Sequence, residues 1–201
     1  MIRIFILSLF LLPASGLAAN FSDKEPIELK KYLGLWYELA RTPNDNQDNT
    51  PTIDGKKFSI CYETTATYSS GDEGYVNIRN VCNRYAEDGT RFEDAITGAA
   101  KIFEDPTQRK LGIAFGSGFA QFFQRLISGG GFDYWIYQVG PETPEGLYSW
   151  ALVSGESRNY LFVLGRTPTL SAGEKAKILK AAEEEGLPVS KLVFVQQYPK
   201  K

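Results

Sequence analysis

The sequence predicts an all-β protein: an eight-stranded antiparallel up-and-down barrel with a C-terminal α-helix and a short ninth strand. Eight short β-rich runs follow one another with turn residues between them, which is typical of an all-β barrel or sandwich. Closing such a meander on itself removes its two unpaired edge strands, and this favours the barrel. A length of 201 residues fits one domain that buries a core.

The first twenty residues have the layout of a secretory signal peptide. Arg3 precedes an apolar run from Ile4 to Leu12, and small residues lie before Asn20. The run is far shorter than the roughly 20 residues that a membrane-spanning helix needs. We therefore expect residues 1–19 to be removed and residues 20–201 to form one soluble domain, periplasmic or secreted. Because no cysteine lies near the cleavage site, we expect no lipid anchor on an N-terminal cysteine.

Each predicted strand is a short run rich in β-branched and aromatic residues. In an up-and-down barrel the connections alternate between the two ends, so the first, third, fifth and seventh connections share one end. The eight runs are Trp36–Thr42, Phe58–Ser69, Tyr75–Asn83, Arg91–Phe103, Arg109–Phe115, Asp133–Val139, Leu147–Val153 and Asn159–Gly165.

The second and third runs predict a hairpin, because the intervening "SGDEG" is rich in Gly and Asp. Pairing Tyr68 with Tyr75 across this turn brings Cys61 directly opposite Cys82. In an exported chain with two cysteines, this register favours one disulfide between neighbouring strands. The alternative is two free thiols.

The hydrophobic period changes after the eighth run. Ser171 and Glu174 form a capping-box signature, apolar residues follow at helical spacing, and Gly186 ends the segment. The apolar face is narrow, which predicts one helix packed on the outside of the barrel. Lys191–Gln197 predicts the ninth strand.

The composition excludes several functions. There are 22 basic and 24 acidic side chains without a basic stripe, which argues against a nucleic-acid partner. The absence of histidine excludes Ser-His-Asp and Cys-His catalysis and histidine-based metal sites. We expect no catalytic residue, no cofactor and no metal.

Two long connections, residues 43–57 and 116–131, fall at the same end of the predicted barrel. The second contains an apolar stripe at helical spacing between glycine-rich segments. Three interpretations are open: a lid over the barrel mouth, a surface that transiently contacts a membrane or partner, and a disordered segment. The stripe consists of Phe119, Phe122, Phe123, Leu126 and Ile127.

Two segments resemble the lipocalins, and in particular the bacterial lipocalins and apolipoprotein D. They are Gly34-Leu35-Trp36 at the first strand and Leu164–Ser171 after the eighth. The resemblance implies that Gly34 and Trp36 form the floor of the barrel, with Arg166 over the indole, and that the other end is open. The family's middle motif, usually Thr-Asp-Tyr, is replaced here by "VGPET".

The resemblance implies that the barrel binds, stores or transports a hydrophobic small molecule, such as a fatty acid, a lysophospholipid or a similar lipid. The alternative is a lipocalin-fold enzyme that acts on a lipid or isoprenoid, which would require a reactive thiol. Strand alternation predicts most of the lining, and Asn80 and Phe162 also match pocket positions in relatives. The predicted lining is Glu38, Val76, Ile78, Asn80, Leu111, Ile113, Phe115, Trp135, Tyr137, Val139, Tyr160 and Phe162.

Overall fold

The computed structural model describes residues 21–103, 105–116 and 132–197. Within them, eight antiparallel strands follow one another around a closed barrel, and a short extra strand joins its rim. This confirms the fold class predicted from the sequence. In the same residues, no helix is long and apolar enough to cross a membrane.

The first four strands of the barrel, counted along the chain, are longer than most of the last four. The first four span between eight and twelve residues, whereas the last two span five and four. The barrel strands are β1 Gly34–Arg41, β4 Tyr62–Ser70, β5 Tyr75–Tyr85, β6 Arg91–Ile102, β7 Lys110–Phe115, β8 Phe132–Val139, β9 Trp150–Ser154 and β10 Phe162–Gly165.

Shorter elements lie around the barrel. The sequence patterns predict the capped C-terminal helix and the ninth strand, but not the short helices and the small hairpin near the N-terminus. These elements are α1 Leu29–Tyr32, α2 Asp45–Asp48, β2 Thr52–Ile53, β3 Lys56–Lys57, α3 Ala172–Glu184 and β11 Val193–Phe194.

Strand β1 closes the barrel because it pairs with strands on both of its edges. Its first half pairs with β4, where Trp36 lies opposite Ala66. Its other edge pairs with β10, where Glu38 lies opposite Leu164. A register shift after Glu38 bends β1, and its last residues also pair with β11.

The β4–β5 hairpin forms, but the predicted register is wrong. Tyr68 pairs with Ile78 rather than with Tyr75, so the ladder is displaced by three residues. An irregularity between Tyr62 and Thr65, with a left-handed backbone at Glu63, shifts the register again near the end of the strand.

The disulfide between Cys61 and Cys82 is confirmed, with Cα atoms 5.4 Å apart. It forms although the register differs, because the irregularity in β4 brings Cys61 back towards β5. The turn residues alone do not reveal this compensation.

Two large apolar clusters and a small one around Tyr75 and Ala114 stabilise the described part of the barrel. One fills the interior around Trp36 and Ile136. The other lies between the outer surface of the barrel and α3, where Ile178 and Ala182 pack with Trp135. The capping box that begins α3 is present, with the Ser171 and Glu174 side chains each bonded to the other's backbone nitrogen.

Candidate functional site

The closed end of the barrel is built around Trp36. This side chain has no exposed surface, and its Nε1 donates to the backbone oxygen of Tyr32 over 2.7 Å. The Cζ atom of Arg166 lies 3.7 Å from the centroid of the indole, in cation–π geometry. The chain enters β1 through Gly34 at φ 97°, a conformation that favours glycine. Together these residues form a floor.

Arg166 also ties the chain segments around this floor together. Its guanidinium donates to backbone oxygens at distances between 2.7 and 3.1 Å. Burial lowers the pKa of Arg166 to about 10. The oxygens that accept these bonds belong to Lys31, Tyr32, Leu33, Leu35 and Tyr148.

Three buried tyrosines form a polar layer next to the floor. The hydroxyl oxygen of Tyr134 is 2.7 Å from that of Tyr32 and 2.8 Å from that of Tyr68. Burial raises the pKa of each of these phenols above its ordinary value. The layer is therefore uncharged, and Tyr68 and Tyr134 present it to the barrel interior.

A cavity of about 780 Å³ lies inside the barrel. Small-molecule sites typically enclose about 300–1,000 Å³, so its volume fits a ligand of that class. Its apolar lining includes Ile113 and Phe115 on β7 and Phe162 and Leu164 on β10.

The loop between β1 and β4 borders the open end of this cavity, to which Pro43 and Asn46 contribute. Arg84, which is 1% exposed, anchors the loop by donating to the backbone oxygens of Asn46 over 2.7 Å and Asn49 over 2.9 Å. It also pairs with Asp94 over 2.8 Å. The mouth is therefore framed by a loop fixed to β5.

Glu38 is a buried carboxyl group that faces the cavity. The Nε2 atom of Gln47, on α2, donates to both of its carboxyl oxygens over 3.0 Å. Arg41 lies 3.7 Å away and is itself paired with Asp48. Burial raises the pKa of Glu38 to about 7, although Gln47 and Arg41 oppose the rise.

The structure brings half of the predicted lining residues to the cavity. Val76, Ile78 and Leu111 belong instead to the buried interior cluster that contains Trp36, and Val139 packs against that cluster. The predicted residues that border the cavity are Glu38, Asn80, Ile113, Phe115, Tyr160 and Phe162.

The predicted inward orientation of Trp135 and Tyr137 is wrong. Both rings pack against Phe21 outside the barrel, in the cluster that contains α3, while Tyr134 and Ile136 point inward. Strand β8 is buried on both faces, so alternation of apolar residues does not distinguish inside from outside. A bulge after Ile136 then shifts the alternation.

Several lining residues are missing from the sequence prediction. Thr64, Ala66 and Tyr68 alternate along β4, a signal that could have revealed them. Gln47 reaches the cavity from a loop, where no periodicity marks it. The predicted stripe of Phe119, Phe122, Phe123, Leu126 and Ile127 lies outside the described residues.

The disulfide forms part of the cavity wall, next to Asp94. Ligand atoms of Cys61, Cys82 and Asp94 lie within 4.8 Å of one another, a spacing that a metal ion could bridge. A metal requires thiolates, however, and both sulfur atoms are bonded to each other. The group therefore does not fit a metal in this oxidised form.

A closed eight-stranded barrel with an internal cavity and one sealed end defines the class of up-and-down ligand-binding barrels. Residues 27–197 match a family model described as a lipocalin-like domain. The chain belongs to the lipocalin family, whose members typically bind small hydrophobic molecules.

The relatives include bacterial and plant proteins. The chain is 34% identical to the outer membrane lipoprotein Blc of Escherichia coli K12, over 85% of this chain and 79% of that protein. It is 26% identical to the outer membrane lipoprotein Blc of Vibrio cholerae over 98% of each chain. Temperature-induced lipocalin-1 of Arabidopsis thaliana is 29% identical, over 83% of this chain and 77% of the plant protein.

Solved structures show the same fold at lower identity. Lobster apocrustacyanin A1 is 17% identical, with a TM-score of 0.53 over 85% of this chain and 79% of that one. The cockroach allergen Per a 4 is also 17% identical, with a TM-score of 0.54 over 86% of this chain and 89% of the allergen. These structures support the barrel fold alone.

Proposed function

We propose that this lipocalin binds and carries a small hydrophobic molecule, with single-chain lipids such as a fatty acid or a lysophospholipid as the candidate class. The observation that supports this proposal is the cavity of about 780 Å³, bordered by Tyr68 and Tyr134 of the tyrosine layer and, at its open end, by the loop between β1 and β4. Its apolar residues on β7 and β10 suit an acyl chain.

Burial of an acyl chain supplies the driving force. Each CH₂ group moved out of water contributes about 0.8 kcal/mol, so a fourteen-carbon chain offers on the order of 10 kcal/mol before the cost of ordering it. Binding of this kind requires no reactive side chain. It requires an enclosed apolar surface, which the barrel interior provides.

Export is part of the proposal, with residues 1–19 as signal peptide and residues 20–201 as the mature domain. Two findings support it: the bacterial relatives are outer membrane lipoproteins, and the disulfide fits an oxidising compartment. Since Cys61 and Cys82 are joined to each other, neither serves as an acylated N-terminal residue.

The alternative is a lipocalin-fold enzyme acting on a lipid or isoprenoid, and Glu38 is the observation that favours it. A buried carboxyl with a pKa of about 7 has the properties of a general base. Gln47 and Arg41 already engage this group, and the disulfide removes the thiol nucleophile. We therefore propose binding, and expect lipids recovered after incubation with the protein to be chemically unchanged.

Lipid extraction from natively purified protein tests the proposal. We expect a bound lipid near one molecule per barrel by native mass spectrometry. Ala66→Phe should lower this occupancy severalfold, because Ala66 lines the cavity. Thr67→Phe is the matched control, since the next residue on β4 is exposed.

Circular dichroism of both variants checks that the barrel is folded. The proposal is wrong if natively purified protein carries no lipid and also fails to bind added lipids. It is equally wrong if Ala66→Phe and Thr67→Phe have the same occupancy as the wild type.

A further inference from the structure

Three polar side chains occupy one wall of the cavity, where the strands β1, β4 and β5 lie side by side. These residues, which we call the polar wall, are Glu38, Thr64 and Asn80, and all three line the cavity. The pairing of Tyr37 with Thr65 makes Glu38 and Thr64 neighbours on adjacent strands. The apolar residues of β7 lie away from this wall, whereas Leu164 of β10 lies directly beside Glu38.

Two members of the polar wall carry unsatisfied atoms. Thr64 is 6% exposed, and its Oγ1 has no hydrogen-bond partner among the described residues. The buried Oδ1 of Asn80 also lacks one within that part of the chain. Burying such groups without partners is unfavourable. A ligand group that donates hydrogen bonds would satisfy both.

The polar wall is held in place from behind. The Nε2 atom of Gln197 donates to the backbone oxygen of Glu38 over 2.5 Å and to that of Thr64 over 3.2 Å. Gln47 fixes the carboxyl group of Glu38. A polar site supported in this way loses little entropy when a ligand binds.

The charged side chains that line the cavity are mostly acidic, and the buried Arg41, 3.7 Å from Glu38, is already paired with Asp48. Among the described lining residues, the carboxylates are Glu38, Asp94 and Asp133, and the cation is the exposed Lys191. Asp94 is paired with Arg84 over 2.8 Å. A ligand carboxylate or phosphate at the polar wall would lie next to the carboxyl group of Glu38 and the buried acceptor Oδ1 of Asn80, and the Thr64 hydroxyl is the one unsatisfied group of this wall that could donate to it.

We propose that the polar wall selects single-chain lipids whose head group donates hydrogen bonds and carries no negative charge, such as a long-chain alcohol, a monoacylglycerol or a long-chain amine. The head group binds Glu38, Thr64 and Asn80, and the tail lies against the apolar lining of the cavity. This inference rests on the proposed function and narrows its ligand class, placing fatty acids below uncharged or cationic lipids.

A matched series of fourteen-carbon lipids tests the proposal on the full mature chain. In the assay each lipid competes at pH 8 with the neutral fluorescent probe N-phenyl-1-naphthylamine for the cavity, at concentrations below the lipid's aggregation concentration. The four lipids are myristic acid, 1-tetradecanol, 1-monomyristoylglycerol and tetradecylamine. We expect the three lipids without a negative charge to displace the probe at concentrations at least about tenfold below that of myristate.

Variants of the polar wall should reduce this preference. Thr64→Val keeps the side-chain shape and removes the hydroxyl, so 1-tetradecanol binding should weaken about fivefold, equivalent to one hydrogen bond. Glu38→Gln and Asn80→Leu should also reduce the difference in affinity between 1-tetradecanol and myristic acid. Thr67→Val makes the same change on the exposed side of β4 and should alter nothing.

Two results would overturn the inference and leave the proposed function intact. One is myristate binding as tightly as the alcohol or more tightly. The other is fatty-acid binding that Lys191→Gln abolishes and Glu38→Gln strengthens, which would place an anionic head at the outer rim. If none of the four lipids displaced the probe and no lipid co-purified, the proposed function itself would fail.

Discussion

Trp36 is the residue on which the closed end of the barrel depends. Its indole is fully buried, bonded to Tyr32 and covered by Arg166. Removing it leaves an unfilled volume between Arg166 and Tyr32 of the tyrosine layer. The cost of such a deletion combines lost burial with the unfilled volume.

We therefore expect Trp36→Ala to lower the free energy of unfolding by about 3–5 kcal/mol, measured by urea denaturation. Leu35→Ala is the matched control, because the adjacent side chain is 44% exposed and its loss should change stability by less than about 0.5 kcal/mol. Equal midpoints for the wild type and Trp36→Ala would contradict the structural role of the indole.

Glu38 makes stability depend on pH. Burial raises its pKa from 4.5 to about 7, so between these values the folded chain holds a proton that the unfolded chain has released. The stabilisation is complete below about pH 4.5 and is lost as the pH rises through 7. Arg41 and Asp48 are the charged groups that act on this carboxyl.

Urea denaturation between pH 4 and 8 measures this contribution, which we expect to be on the order of 3 kcal/mol. Glu38→Gln should remove that part of the slope, because an amide does not titrate. Glu183→Gln changes an exposed carboxylate of α3 and should leave the pH dependence of stability unchanged. A Glu38→Gln profile parallel to the wild type would show that Glu38 does not titrate in this range.

At the scale of elements, β4 and β5 show how a local irregularity decides a long-range contact. The turn residues predict the hairpin, and the cysteines predict the disulfide, but the ladder between them is three residues from the expected register. The left-handed backbone at Glu63 marks the irregularity in β4 that allows the disulfide to form although the register is displaced. Sequence patterns do not show such bulges because they carry no strong composition signal here.

The disulfide is expected to stabilise the barrel by restricting the unfolded chain. A bridge between residues 21 positions apart contributes about 3 kcal/mol in the chain-entropy model. We expect the double variant Cys61→Ala/Cys82→Ala to lose about that amount in urea denaturation. Adding a reductant should lower wild-type stability to the same level and leave the double variant unchanged; a wild type insensitive to full reduction would contradict this.

Strand β8 shows a second limit of pattern analysis at this scale. Four consecutive residues from Tyr134 to Tyr137 are buried, because the interior covers one face and α3 with Phe21 covers the other. The strand's existence was predictable from its aromatic and β-branched residues. Its orientation was not, because the helix that covers its outer face is distant in sequence.

At the scale of the whole molecule, ligand binding and folding are coupled. A lipid that binds the folded barrel and not the unfolded chain stabilises the protein by RT ln(1 + [L]/Kd), about 2.7 kcal/mol at a hundredfold excess over Kd. We expect 1-monomyristoylglycerol at that excess to raise the free energy of unfolding of delipidated protein by this amount.

Urea denaturation with and without the lipid measures the effect. Ala66→Phe should reduce it, because the larger side chain occupies the cavity, and Thr67→Phe should preserve it. A shift of the same size in Ala66→Phe would mean that the lipid acts outside the barrel.

The sequence by itself predicted the barrel, its strand order, the capped helix and the cysteine pair of the disulfide, and its resemblance to the lipocalins indicated the residues of the floor. These features depend on local signals: strand runs separated by turns, a capping box, two cysteines, and a glycine and tryptophan at the start of β1. Apart from the cysteine pair, whose members lie 21 residues apart, and Arg166 of the floor, each signal lies within a few residues of the feature that it predicts.

Only the tertiary structure decided which residues face the cavity. Glu38, Thr64 and Asn80 form the polar wall because the inward faces of β1, β4 and β5 lie side by side. Trp135 and Tyr137 are buried outside the barrel because α3 covers the outer face of β8. Gln47, on α2 in the loop between β1 and β4, reaches the cavity because Asn44 caps α2 and Arg84 anchors the loop. The physical reason is that a side chain's surroundings are set by strands and helices far away along the chain, which no local pattern contains.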